Sequence, residues 1–587
     1  MPGAVGASAF RIEIDGQPLD SSLESSVIHV VVDDHLHLPD TFAITFQETP
    51  DMDALKKSKV KVGSKVKISA TPLDDPSPGL LISGEVTALE GEYRENKAPV
   101  LVVRGYDACH RLMHGRVSKV YVQKKYSDLA GDIAAGHGLE RGQIDDSGFV
   151  HPFVHQAAET DWDFLRRLAR ERGFEVAVRD GKLDFRNPPR ALDAPGAGDL
   201  ASTNPLQLVY GKELLEFRPR VTAGGQVGQV TVKGWDVVAK RDLIAQQPGA
   251  TTGAELRDSP ASLAAVFGSP GHVTGDRPRH TQREVDDAAK AIAEQIGSVF
   301  AEAAGIARGN PKLKAGAGVH VTKVAEPFAG RYTLTHTRHV YEAKHEYRTF
   351  FEISGRQERS LLGLASGGGA GDDPVVTPGL GGVQVGIVTD TKDPENRGRV
   401  RVLLPYAGVD FVTDWARVAA PGNGASRGFV WIPENKDEVL VAFHHGSVRE
   451  PYVLGGLWNG QDKPPDIELD GDGNLQARKL VSRTGQKIVF SDKSQGEGIL
   501  VSSADGSISI LVDAANKKVV ITSDGSGTVE MKSGGDFTID CKGSLKISGM
   551  GGVEISSPAS TKVSGNGQLS LESGGITSVK GSQVSLG

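Results

Sequence analysis

Two cysteines in 587 residues, Cys109 and Cys541, cannot build a disulfide framework or a Cys-rich metal site, and burial is the default expectation for both. Aromatics are scarce at 6%, and no apolar run approaches the ~18 residues of a membrane-spanning helix. The net charge is -8 and no Lys/Arg block of the kind that tracks phosphates occurs, which argues against nucleic acid as a partner. The opening Met1-Pro-Gly-Ala-Val-Gly6 has neither the charged nor the apolar segment of a secretion signal, so assembly in the cytoplasm is expected. Glycine is what the chain has in excess: 73 residues, mostly in the second half, a composition suited to short strands and tight turns.

Residues 1–365 read as mixed α/β, with alternating strands at Phe10 to Ile14 and Leu101 to Arg104. Thr160 is placed to cap a helix that runs through Asp161-Trp-Asp-Phe-Leu165 to Gly173, with acids first, arginines last and Trp162, Leu165 and Ala169 on one face. A second helix is expected from about Glu284 to Ala307, on the spacing of Val285, Ile292, Val299 and Ala303. Leu101-Val-Val-Arg-Gly-Tyr-Asp107 is echoed by Val230-Thr-Val-Lys-Gly-Trp-Asp236, which suggests two related β domains joined by a helical insert. Residues 366–382 form a Gly/Pro-rich linker, 383–460 a small barrel of short strands, 461–477 a second linker and 478–587 a repeat region.

Read in steps of eight from Gly527, the repeat opens on Gly527, Gly535, Gly543, Gly551, Ala559, Gly567 and Gly575. Its third and fifth positions hold Val529 and Met531, Phe537 and Ile539, Leu545 and Ile547, Val553 and Ile555, then Val563, Leu569, Leu571 and Val579, with Thr561 and Thr577 interspersed. A strand points alternate side chains to opposite faces, so these positions share a face while Glu530, Lys546 and Glu554 between them meet water. Two inward side chains per octad bury almost nothing alone, so stacking is compulsory. One chain could wind three octads into a coil, or three chains could interleave. At ~4.8 Å between strands, one chain would complete only about two coils, whereas three interleaved chains make a prism roughly 34 Å tall, and the interleaved trimer is favoured. The pairs Ile488/Phe490, Ile499/Val501, Ile508/Ile510 and Val519/Ile521 extend the shaft upstream.

The middle domain carries Gly386-Ile-Val-Thr-Asp-Thr-Lys-Asp-Pro394, Gly398-Arg-Val-Arg-Val402, Asp414-Trp-Ala-Arg-Val418, Pro433-Glu434, Asp437-Glu-Val-Leu-Val-Ala-Phe443 and Val453-Leu-Gly-Gly-Leu-Trp-Asn-Gly460. In this order they resemble the OB-fold domain of the VgrG and phage baseplate-spike family. Asp161-Trp-Asp-Phe-Leu165, Gly173-Phe174 and Asp180-Gly-Lys-Leu183 resemble the late-control protein D hub module. The resemblance implies a mainly β chain with an α/β N-terminal part: a hub with two tube-like β domains and a helical insert, an OB-fold barrel and a C-terminal intertwined β-helix. It further implies a homotrimer capping a hexameric inner tube among baseplate proteins, piercing an envelope and ejected on contraction. A PAAR-type tip protein would sit on the blunt end at Val584, Leu586 and Gly587, and effector cargo is a possible passenger. Lys436 departs from the pattern, where glycine often precedes the Asp-Glu pair, and puts one turn conformation in question.

Catalytic chemistry is not expected, nor a cofactor or metal. Gly424-Ala-Ser-Arg-Gly428 fits a nucleophile elbow, but Phe429 to Ile432 reads as a strand where a helix is required. Glu468-Leu-Asp-Gly-Asp-Gly473 starts like a calcium loop, yet Lys479 stands where a bidentate Glu is needed. His35 and His37 alternate on a strand and His444 and His445 adjoin the barrel's end, without Cys or carboxylate spacing for a metal. The segment between barrel and repeat is too short for a lysozyme domain, and the repeat closes the sequence without an effector extension. The rivals are a glycan-degrading tailspike, an effector-loaded spike and a surface adhesin, which call respectively for paired carboxylates in a groove, bound cargo and a secretion signal.

Overall fold

Alternation builds the first sheet. Phe10, Ile12 and Ile14 turn inward along the strand Phe10–Ile14 and pair with Lys65–Ala70, whose Val66 and Ile68 are fully buried. The computed structural model describes residues 10–585 apart from 49–52, 73–76, 197, 200–203, 276–277, 343–346, 357–381 and 409, so most of the expected linker 366–382 falls outside it. The chain divides into Met1–Lys463 and Pro464–Gly587.

In the first unit, strands from both ends of the N-terminal region join one eleven-stranded sheet. Its seam is the antiparallel pairing of Val27–His35 with His336–Glu342. Two apolar cores lie along this sheet, one around Val30, Ile44 and Val103, the other around Phe300, Tyr332 and Phe351. The insert between them has its own core of Leu129, Trp162, Phe164, Leu165 and Phe185. Its helix Asp161–Arg172 is capped as its sequence dictates: Thr160 Oγ1 accepts from Asp163 N at 3.0 Å, and Gly173 closes it at φ 71°.

The echoed segments are a repeated local solution set in two different sheets. Val100–Asp107 lies inside the eleven-stranded sheet, Gln229–Asp236 in a three-stranded one. In each, a Cβ on the glycine would collide with neighbouring backbone: Glu85 O for Gly105, Arg279 O for Gly234. Each terminal aspartate then accepts from the turn that follows, Asp107 from Cys109 N at 3.2 Å and Asp236 from Val238 N at 2.9 Å.

The second long helix is shorter than its spacing suggested. It spans Gln282–Gly297, started by a capping box of Thr281 and Glu284, and a turn at Ser298–Phe300 delivers the chain into the strand Ala301–Arg308. Val299 and Ala303 therefore lie beyond the helix. From Ala301 burial alternates with period two, and Gly305 packs under the ring of Phe351, its register partner on the neighbouring strand.

The barrel is a five-stranded sheet in which Val383–Asp390 lies between Arg401–Leu403 and Glu438–Phe443, followed outward by Pro451–Gly456 and Arg417–Val418. Phe429 to Ile432 is not a strand, against expectation; it is exposed, with the Phe429 and Trp431 rings stacked 5.5 Å apart. Gly428 at φ 136° on one side and Pro433, which has no N–H, on the other deny it a ladder. Lys436 keeps the turn that glycine would make: its φ is 82°, and its N–H reaches Val388 O at 2.8 Å.

Candidate functional site

The C-terminal unit begins as an antiparallel meander, Ala477–Val481, Lys487–Ser491, Gly498–Ser502, Ile508–Asp513 and Lys518–Ser523. Tight turns set its pairing. Ser482 O accepts from Gly485 N at 2.9 Å, and the Asp513 carboxylate takes Asn516 N at 2.9 Å with Lys517 at φ 52°. Ile488 pairs with Val501, Phe490 with Ile499, Val501 with Ile510 and Ile510 with Ile521. The pairs named from sequence thus fall on one face of one sheet, and every member is at least 36% exposed.

Beyond Asp524 the described residues form no strand ladder with their own chain. Val529, Met531, Phe537, Ile539, Leu545, Ile547, Val553, Ile555, Val563, Leu569, Leu571 and Val579 are all between 51% and 73% exposed. That is not the single-chain coil weighed above, which would bury them. Side-chain corners recur with the eight-residue period: Gly535 N donates to Ser533 Oγ at 3.2 Å, Ala559 N to Ser557 Oγ at 3.3 Å and Gly575 N to Ser573 Oγ at 3.1 Å. Sequence reasoning credited the corner to glycine and missed this seventh position, which Ser, Gly or Cys541 fills. Cys541 is therefore exposed, contrary to the expected burial, while Cys109 is buried. Val584 is 51% exposed, and Leu586 and Gly587 lie outside the described residues.

Within the first unit the barrel is fastened to the insert by charge and stacking. Arg449 reaches Glu171 at 3.2 Å and the Tyr126 hydroxyl, which itself donates to Glu171 at 2.6 Å. Burial disfavours the charge of Arg449, but Glu171 and Tyr126 raise it above an ordinary arginine. Arg401 lies between the rings of Phe153 and Trp415, at 4.8 and 4.9 Å from their centroids. His151 stacks on Tyr126 at 4.1 Å, and burial together with Arg449 pushes both His151 and His155 down to about 4.

The suspected catalytic and metal motifs fare differently. Gly424 and Arg427 close a turn on each other, with no helix after it. Asp470 accepts from Asp472 N and Asn474, and Glu468 pairs with Lys479 and Lys493. His444 and His445 adjoin each other at 4.7 Å. His37 lies past the end of its strand, pushed down to about 3 by burial and by Arg166 nearby. His35 is different: it stacks 4.0 Å from His336, a residue no local spacing could have linked to it. Among the described residues, no helix is long and apolar enough to cross a membrane.

Residues 5–342 match the family described as the Alg8 N-terminal domain, and residues 384–458 the type VI secretion system/phage-baseplate injector OB domain. A probable baseplate hub protein of Escherichia phage 186 is 25% identical over 193 residues, 32% of this chain; the match spans about half that relative's length, 48%. Among solved structures, a Francisella PdpA-VgrG complex in its half-lidded form shares the fold at a TM-score of 0.50, 10% identity and 88% coverage of both chains. An E. coli component of the type VI secretion system is similar at a TM-score of 0.42 and 16% identity, over 76% of this chain and 99% of that one.

Proposed function

Because this chain belongs to the family of the Alg8 N-terminal domain and is a VgrG-like baseplate hub, we propose that it is the trimeric structural spike of a contractile injection system. Three hubs cap a hexameric inner tube among baseplate proteins, two tube-like halves per chain giving a sixfold-like ring. The barrels form a collar, and three tails interleave into a needle that pierces the target envelope when contraction drives it outward, with effector cargo carried along. A PAAR-type tip protein covers the end of this needle, in contact with Val584, Leu586 and Gly587. The role is mechanical rather than enzymatic: interchain ladder hydrogen bonds and one shared apolar core let the needle transmit force without bending.

One observation carries this reading: an apolar face runs through the meander and the octads and finds no cover within its own chain. Monomers rarely leave so long an apolar surface exposed. The test is the mass of the purified full chain in solution, together with a variant carrying Ile547→Asp and Ile555→Asp. The parent should be a trimer and the variant a monomer with its N-terminal unit still folded. A stable parent monomer, or a trimer that survives both substitutions, refutes the needle.

A further inference from the structure

Asp33 and His35 are one residue apart on the strand Val27–His35, so both side chains leave the same face. His336 opens the neighbouring antiparallel strand and is the register partner of His35. Cross-strand partners stand close enough for their side chains to meet. Here the two imidazoles lie parallel, 4.0 Å apart with 2° between their planes, and the ligand atoms of Asp33, His35 and His336 all fall within 4.8 Å of one another. His35 also forms part of the wall of a cavity of about 310 Å³ that His110, Met113 and His114 line with it. His110 Nε2 is held by Glu85 at 3.0 Å, the carboxylate–imidazole pairing that orients metal-binding histidines, while its Nδ1 is buried without a hydrogen-bond partner.

We propose that Asp33, His35 and His336 bind one divalent transition-metal cation of borderline softness, Zn²⁺ or Co²⁺ in kind, with water completing its coordination. Two imidazoles and a carboxylate suit such an ion and suit Mg²⁺ or Ca²⁺ poorly. His336 Nε2 already meets Asp33 Oδ1 at 3.0 Å and must give up that contact to the ion, and the remaining competitor for the carboxylate is Arg338. It grips Asp33 through Nε at 2.7 Å and Nη2 at 3.1 Å, but its side chain is 52% exposed and free to swing into solvent as the ion enters. A bound ion would staple Val27–His35 to His336–Glu342, the seam where strands from the two ends of the hub region meet. The inference does not depend on the trimer.

The test is titration of metal-stripped full chain with Co²⁺, followed by its visible absorption band and by displacement with Zn²⁺. One ion per chain is expected. His35→Gln should weaken binding by more than about a hundredfold, beyond the roughly 10- to 100-fold that an outer-shell change alone can bring. Metal-free melting should fall only slightly, because the His35 ring stacks on His336 but among the described residues makes no hydrogen bond. Arg338→Gln should tighten binding by freeing Asp33, which a purely structural ion pair does not predict. His444→Ala, in the barrel, should change nothing. No saturable binding by the parent, or undiminished binding by His35→Gln, overturns the proposal.

Discussion

Replacing Arg449 with methionine removes the guanidinium that fastens the barrel to the insert while keeping most of the side chain's length. Its partner Glu171 is 24% exposed and would keep Arg167, at 3.5 Å, as a counter-charge, together with the Tyr126 hydroxyl at 2.6 Å. Truncating one member of a buried ion pair costs about 3–5 kcal/mol because the other charge stays behind unpaired. Both groups here are partly exposed and Arg167 remains, so the loss should fall to about 2–3 kcal/mol, with the cation–π contact over Tyr126 at 5.6 Å included. Urea unfolding followed by tryptophan fluorescence is the assay, since Trp415, Trp431 and Trp458 all lie in the barrel region. Combining Arg449→Met with Glu171→Gln should recover part of the loss, a coupling of about 1–2 kcal/mol. If Arg449→Met leaves the transition where it was, or the two changes simply add, the latch contributes nothing to stability.

Lys436→Gly should stabilise the barrel by about 0.5–1 kcal/mol in the same assay, because it relieves a side chain held at φ 82°. His151 and His155 are held neutral in the fold, pushed down from 6.5 to about 4 by burial and Arg449. Their contribution is whole above pH 6.5 and is lost as pH falls through 6.5 toward 4, at most roughly 3 kcal/mol each. Urea midpoints should drop across that window, and less steeply for His155→Phe. Gly305→Ala should cost about 1–3 kcal/mol by driving a methyl group into the Phe351 ring, read as a lowered melting temperature.

Local signals were the ones the sequence displayed openly. Thr160 and Gly173 bracket their helix because caps are chemistry of a few adjacent residues. The meander pairs were legible because a period of two survives into the folded sheet. The second helix was overextended because Ala301 to Arg308 is rich in small residues that fit either period, and only packing under Phe351 decides for a strand. Phe429 to Ile432 misled for the complementary reason: β-prone side chains cannot pair where glycine and proline flank them. The Asp33, His35 and His336 cluster was beyond reach, since its members meet only once distant strands take up their register. The serine corners could have been found, because they obey the same eight-residue count as the apolar positions.

The tail changes character at Ser523: upstream each strand of the meander has its partner in the same chain, and downstream the described residues form no strand ladder. Hub, barrel and the strand ladder of the meander can therefore form within one chain, whereas in the proposed needle the octads acquire their structure only after an encounter of chains. In the proposed trimer, ordering should start beside the meander, where three tails would first come together, and run toward the C-terminus, each octad raising the local concentration of the next. Chains committed in this way would exchange very slowly, because leaving requires every octad to unthread in reverse. Mixing labelled and unlabelled trimers would then give no hybrids on the time that newly made chains take to assemble.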